Sequence, residues 1–197
     1  MSDGVFINYR REDAGPYARL MKIRLAQHFP STPVFMDLDS IEVGVDFAEA
    51  IDSAVRSCAI LVALIGRRWL TIADDDGHRR LDNPDDLVRF EIQAALERRV
   101  RVIPVLVDGA AALRQQQLPP SLCKLARLNA LEMSYGRFEY DETRLLNTIE
   151  RMLESAASDR ADTGTINRFR KTDLPPFSRT PFRENGGRSE LFRETGA

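Results

Sequence analysis

Cysteine is almost missing from this 197-residue chain: only Cys58 and Cys123 occur, both in apolar settings and with no metal-ligand spacing. That excludes a disulfide framework and a thiolate metal site, and suits a reducing compartment. Histidine is as scarce, and His28 and His78 are too few and too isolated for a metal cluster or a Ser-His-Asp triad. No apolar run exceeds Ala59 to Ile65, far short of the ~20 residues that cross a bilayer. The opening MSDGVF has no basic region followed by an apolar core, so no signal peptide is expected. A cytoplasmic protein without a membrane partner follows as the expectation. The net charge of −2 excludes a strongly basic nucleic-acid binder, so no nucleic-acid partner is expected. The chain also lacks the G-x-x-x-x-G-K-[ST] phosphate loop, a G-x-G-x-x-G after its first strand, and the G-x-S-x-G elbow. A receiver domain needs a phosphorylatable Asp at the end of the third strand, and here that strand ends in Ile65 and Gly66.

What is present is a regular alternation of short apolar runs and helical patterns. Val5 to Asp13, VFINYRRED, runs from an apolar strand into a charged turn. Ligands of open α/β sheets gather where strands end, so Asn8, Tyr9, Arg10 and Arg11 stand at the mouth of any site. Tyr17, Leu20, Met21, Leu25 and Phe29 recur at helical spacing, predicting a helix over Gly15 to His28 that Pro30 ends. Val34 to Met36 reads as a short strand, followed by a loop over Asp37 to Asp46. Asp46 caps a helix carrying Phe47, Ala50, Ile51, Ala54 and Val55. Ala59 to Ile65 is the clearest strand, apolar throughout and therefore central in a parallel sheet. Asn83-Pro84-Asp85-Asp86 predicts a helix start, with Asn83 as cap and Pro84 at the first position, running to Arg99. Val100 to Val107 is a fourth strand, Leu113 to Leu128 a broken helical stretch, and Ala130 to Met133 a short edge strand. Asp141 to Ser155 closes the fold as an amphipathic helix. The alternation predicts an α/β fold with a five-stranded parallel sheet in flavodoxin-like order 2-1-3-4-5 and helices on both faces.

From Ala156 the apolar periodicity stops. The predicted organisation is one domain over 1–155 and a disordered tail over 156–197. The tail has 8 basic and 6 acidic residues, a charge of +2, which leaves 20 and 24, or −4, for the domain. Phe182-Arg-Glu-Asn-Gly186 recurs as Phe192-Arg-Glu-Thr-Gly196, a repeated anchor suited to a partner surface or simply a linker composition.

One residue in the helix after the third strand stands out. Set at about 100° per residue with Val88 at zero, Ile92, Ala95 and Leu96 form an apolar arc. Glu91 falls near −60°, inside that arc, while Arg89 and Glu97 lie opposite. A carboxylate on an inward stripe is costly unless it is paired or lines a cavity. Position alone leaves both readings open: an ion pair with Arg10 or Arg67, or a functional carboxylate.

The segments VFINYRRED (5–13), VFMDLDSIEVGVDF (34–47), ALIGRRWL (63–70), DDLVRFEIQAAL (85–96) and VIPVLVDG (102–109) closely resemble bacterial Toll/interleukin-1 receptor (TIR) domains of the NAD-cleaving type. The similarity spans Gly4 to Glu154 in order and spacing, and the tail has no part in it. The resemblance implies that Asp37 to Asp46 is the family's BB loop and that Glu91 is its catalytic glutamate. It implies cleavage of the nicotinamide–ribose bond of NAD⁺, a substrate, with no cofactor and no metal. Tyr9, Arg10 and Arg11 would then flank the dinucleotide, the arginines facing its pyrophosphate. Trp69 would offer an aromatic face to a base, or pack at the end of the third strand. Asp37, Asp39 and Ser40 would shape the pocket mouth, or serve only as turn residues. Many NAD-cleaving relatives carry Trp four residues before the catalytic glutamate; this chain has Leu87 there, a departure in the nicotinamide wall. The resemblance further implies self-association, a role in bacterial antiphage signalling, and a sensor or effector partner for the tail. Its alternative is a non-enzymatic scaffold that binds other TIR domains through 37–46.

Overall fold

Gly4 to Tyr9 is buried at every position and forms β1, the second strand of a five-stranded sheet in which every pairing is parallel. The computed structural model describes residues 4–36 and 53–169, with side chains as far as Ser158. After β1 come α1 (Arg11–His28), β2 (Val34–Met36), β3 (Cys58–Ile65), α2 (Leu87–Glu97), β4 (Arg101–Val107), β5 (Leu131–Met133) and α3 (Phe138–Phe169). The order is β2-β1-β3-β4-β5, the flavodoxin-like arrangement that the alternation predicts.

Strands that are apolar on both faces need cover on both. The pleat of β1 and β3 sends Val5, Ile7, Tyr9, Ile60, Val62 and Leu64 to one face, against Ala14, Ala18, Met21 and Leu25 of α1 and Leu145 and Ile149 of α3. Phe6, Leu61, Ala63 and Ile65 go to the other, against Val88, Ile92, Ala94 and Ala95 of α2. Each fully buried aliphatic side chain contributes roughly 1.5–3 kcal/mol, so these two cores outweigh the exposed ion pairs. Pro104 is tolerated inside β4 because β5 pairs only from Val105 onward, leaving Pro104 opposite Ala63 alone. Gly66 ends β3 where a Cβ would stand 2.5 Å from the Asp13 carboxylate.

The boundaries differ from the pattern in four places. α1 begins at Arg11, not Gly15; Glu12 and Asp13 in its first turn suit the positive end of the helix dipole. α2 begins at Leu87, not Pro84. Asn83 is spent on a turn, its Oδ1 accepting from Asp85 N at 2.9 Å, and Asp86 takes the cap instead. The stretch over 113–128 becomes three short 3₁₀ turns, at Gln115–Gln117, Pro120–Leu122 and Leu125–Arg127. α3 starts at Phe138 and passes Ser155 to reach Phe169. Apolar spacing marks where a helix packs, but Ala156, Ala157, Arg160 and Ala161 are good helix formers, and extending an existing helix is far easier than nucleating one.

The chain divides into two units, 1–160 and 161–197; the second is described only as α3 backbone up to Phe169. Residues 53–56 are helical, but the start of the helix predicted from Asp46, the loop Asp37 to Asp46 and the tail from 170 lie outside the described residues. No helix among the described residues is long and apolar enough to cross a membrane.

Candidate active site

Alternation along β1 puts Asn8 and Arg10 on the α2 face and Tyr9 on the α1 face. Asn8 is fully buried, and its Nδ2 donates to Val88 O at 3.1 Å and to Glu91 Oε2 at 2.7 Å. Glu91 is 9% exposed. A bond this short to a carboxylate is charge-assisted and stronger than one between neutral groups. It fixes a buried carboxyl group at the C-terminal edge of the sheet, where it can accept hydrogen bonds from hydroxyls or face positive charge.

Two residues further along the same face, Arg10 grips the start of α2. Its Nη1 donates to Asp86 Oδ2 and its Nη2 to Asp86 Oδ1, each at 3.0 Å. Asp86 Oδ1 also caps α2 by accepting from Arg89 N at 3.0 Å, and Arg80 Nε stands 3.3 Å from Oδ2. A buried fork-to-carboxylate pair is geometrically specific, and losing either partner strands a charge in the interior. Below it the guanidinium carbon of Arg10 lies 5.9 Å from the centroid of the buried Trp69 ring.

The resemblance placed Arg10 against a pyrophosphate, but its side chain is 0% exposed and committed to Asp86. It is a structural cation. Tyr9, assigned to the same flank, points into the α1 core, because successive strand residues face opposite ways. Trp69 packs within the α2 core, the second of its two expected roles. Arg11 is exposed at the first position of α1, and Leu87 is 42% exposed at the first position of α2. Asp37, Asp39 and Ser40 lie outside the described residues. Of the two arginines weighed as partners for Glu91, Arg10 holds Asp86 and Arg67 lies by Asp108, its Nε 3.4 Å from Oδ2. The structure therefore brings Asn8, Arg10, Asp86, Glu91 and Trp69 together. Asp86 went unrecognised as a site residue; its one signal was a second acid ahead of an apolar helical stripe.

Asn8 Oδ1, Arg10 Nε and Trp69 Nε1 are buried and, among the described residues, lack a hydrogen-bond partner. Each such atom costs about 1–3 kcal/mol in a core. The larger cavities described lie elsewhere: about 900 Å³ beside Tyr17, Tyr135 and Tyr140, and about 320 Å³ beside Glu12, Arg68 and Arg80. The one metal-capable cluster among the described residues is exposed: Asp74, Asp76 and His78, with ligand atoms within 4.8 Å of one another. There Asp74 Oδ1 already accepts from the backbone N–H groups of Asp76 and His78.

The family model described as TIR domain matches residues 5–147. The NAD(+) hydrolase sarm1 of Drosophila melanogaster is 27% identical over 129 residues, covering 64% of this chain and 9% of that protein. The chain thus spans about a tenth of the length of this relative. Among solved structures, the TIR domains of the activated Roq1 resistosome directly recognizing the pathogen effector XopQ match with a TM-score of 0.54 at 14% identity. That match covers 76% of this chain and 98% of the other, and describes the fold alone.

Proposed function

This chain belongs to the TIR-domain family, and from that premise we propose that it cleaves the nicotinamide–ribose bond of NAD⁺, with Glu91 as the catalytic carboxylate. The observation that carries the reading is the Glu91 carboxylate, buried at the sheet's C-terminal edge and held by Asn8 at 2.7 Å. It is the residue that both the helical position and the resemblance single out. The similarity to an NAD(+) hydrolase supports the same chemistry.

The bond between C1′ of the ribose and the pyridinium nitrogen breaks with its electron pair passing to that nitrogen, so nicotinamide leaves neutral. The sugar becomes oxocarbenium-like. An ionised, oriented carboxylate that accepts the ribose hydroxyls lowers this barrier by stabilising the growing positive charge. Water attacking C1′ and losing a proton gives ADP-ribose; attack by a nucleophile of the same molecule gives a cyclic isomer. Self-association completes the pocket and switches activity on in bacterial antiphage signalling, with the tail meeting a sensor or effector.

Leu87 favours a second reading, a TIR scaffold that binds its own kind through 37–46, because it stands where many NAD-cleaving relatives carry Trp. The two are separated by chromatography of NAD⁺ incubated with concentrated wild type and Glu91→Gln. The enzyme reading expects nicotinamide from wild type and at least about 100-fold less from the variant, the scale of losing one preorganised electrostatic group. No release by either hands the case to the scaffold, whereas equal release by both keeps an enzyme and removes Glu91 from its centre.

A further inference from the structure

The amide of Asn8 contacts two acceptors at once, Val88 O and Glu91 Oε2. Neither a carbonyl nor an ionised carboxylate can donate, so the NH₂ end faces both and the amide has one possible orientation. Val88 lies three residues before Glu91 on α2, one turn away. The bond to Val88 O therefore fixes the amide to the backbone of the helix, and the second N–H fixes the carboxylate to that backbone. Asn8 cannot drift, because β1 is buried throughout and Asn8 pairs with Ala63 of β3.

We propose, on the reading that Glu91 is the catalytic carboxylate, that Asn8 is its positioning residue: it holds Glu91 in one rotamer and in the ionised form. Several charged side chains of the surrounding elements have partners of their own. Arg10 and Asp86 hold each other, and Arg80 lies between Asp86 and Glu12. Arg67 lies by Asp108, and Arg68 donates to Glu12 O. On α2 itself Arg89 donates to the carbonyls of Leu81 and Asp82, while Glu97 accepts from Gln93. The Asn8 amide donates to the Glu91 carboxylate and to the helix backbone from one nitrogen.

The test follows Glu91 directly by carbon NMR of protein labelled at the glutamate carboxyls, its resonance assigned by loss in Glu91→Gln. Asn8→Leu keeps the size and removes the donor; the Glu91 midpoint should rise by about one pH unit or more. Asn8→Asp faces one carboxylate with another and should raise it further, with two coupled steps. Should the leucine variant not fold, Asn8→Ala, which also removes the donor without adding a charge, gives the same readout. In turnover, kcat should fall about 10–100-fold with KM little changed and its acid limb moving with the NMR midpoint. Asn8→Ser, which retains a donor, should recover part of the loss. An unmoved Glu91 midpoint in a folded Asn8 variant overturns the positioning role, whatever the turnover. A moved midpoint in a protein that releases no nicotinamide upholds it and discards the enzyme reading instead.

Discussion

Glu91 shares the inward side of α2 with Val88, Ile92, Ala94 and Ala95, and its charge makes it conspicuous in the sequence itself. Its supports are harder to read. Arg10 meets Asp86 across 76 positions and Asn8 meets Glu91 across 83, separations that no local pattern encodes. Tyr9 misleads for the opposite reason: a polar aromatic at a strand end suggests a site, yet strand parity groups it with Ile7. Leu87 makes the first prediction at this scale. Being 42% exposed, it can become Trp without disturbing the core, so stability should stay within about 0.5 kcal/mol. Nicotinamide release by Leu87→Trp should rise by up to about tenfold, the scale of one added aromatic contact. Unchanged or slower release would mean that the missing Trp is not what limits this site. Cys58 makes the second. Burial pushes its thiol up to about 12 from 9.0, so the native protein keeps the proton that the unfolded chain loses. Its contribution to stability is full below pH 9 and is lost as pH climbs towards 12. At pH 8 a thiol reagent should titrate one cysteine, the half-buried Cys123, in the native protein and two after denaturation; two in the native state would refute it.

Among the elements, α2 is placed by its ends as much as by its apolar face. Asp86 at once caps the helix and neutralises Arg10, so Asp86→Ala removes a cap and strands a buried cation. The expected loss is about 3–5 kcal/mol in denaturant unfolding. Asp86→Asn, which keeps the cap, should lose less, and Arg10→Met with Asp86→Leu should regain much of it. A single-variant loss below about 1 kcal/mol, the usual worth of a cap alone, would mean the ion pair is idle. The sequence misplaced this start because Asn-Pro is a strong helix opening in isolation, whereas here Asn83 closes a turn ahead of it. α3 outran its predicted end for a related reason: the spacing of apolar residues reports packing, and helix propensity persists beyond it. β1 and β3 were legible almost to the residue, since a strand buried on both faces has no choice of composition.

For the whole molecule, the alternation of strands and helices is enough to specify a parallel sheet covered on both faces, because parallel strands require crossovers and crossovers share one hand. The proposed activity makes a prediction here too: specific activity should rise with protein concentration, since a pocket completed by a neighbour fills by mass action. Nicotinamide release per mole that stays flat while sedimentation records assembly would argue for a self-sufficient monomer. The long reach between β1 and α2 also has a bearing on biosynthesis. Asn8 leaves the ribosome 83 residues ahead of the carboxylate it holds, a wait of about 4–17 s at ordinary translation rates. A half-made or prematurely terminated copy therefore carries the strand without the acid and, on the proposed activity, leaves no fragment able to cleave NAD⁺.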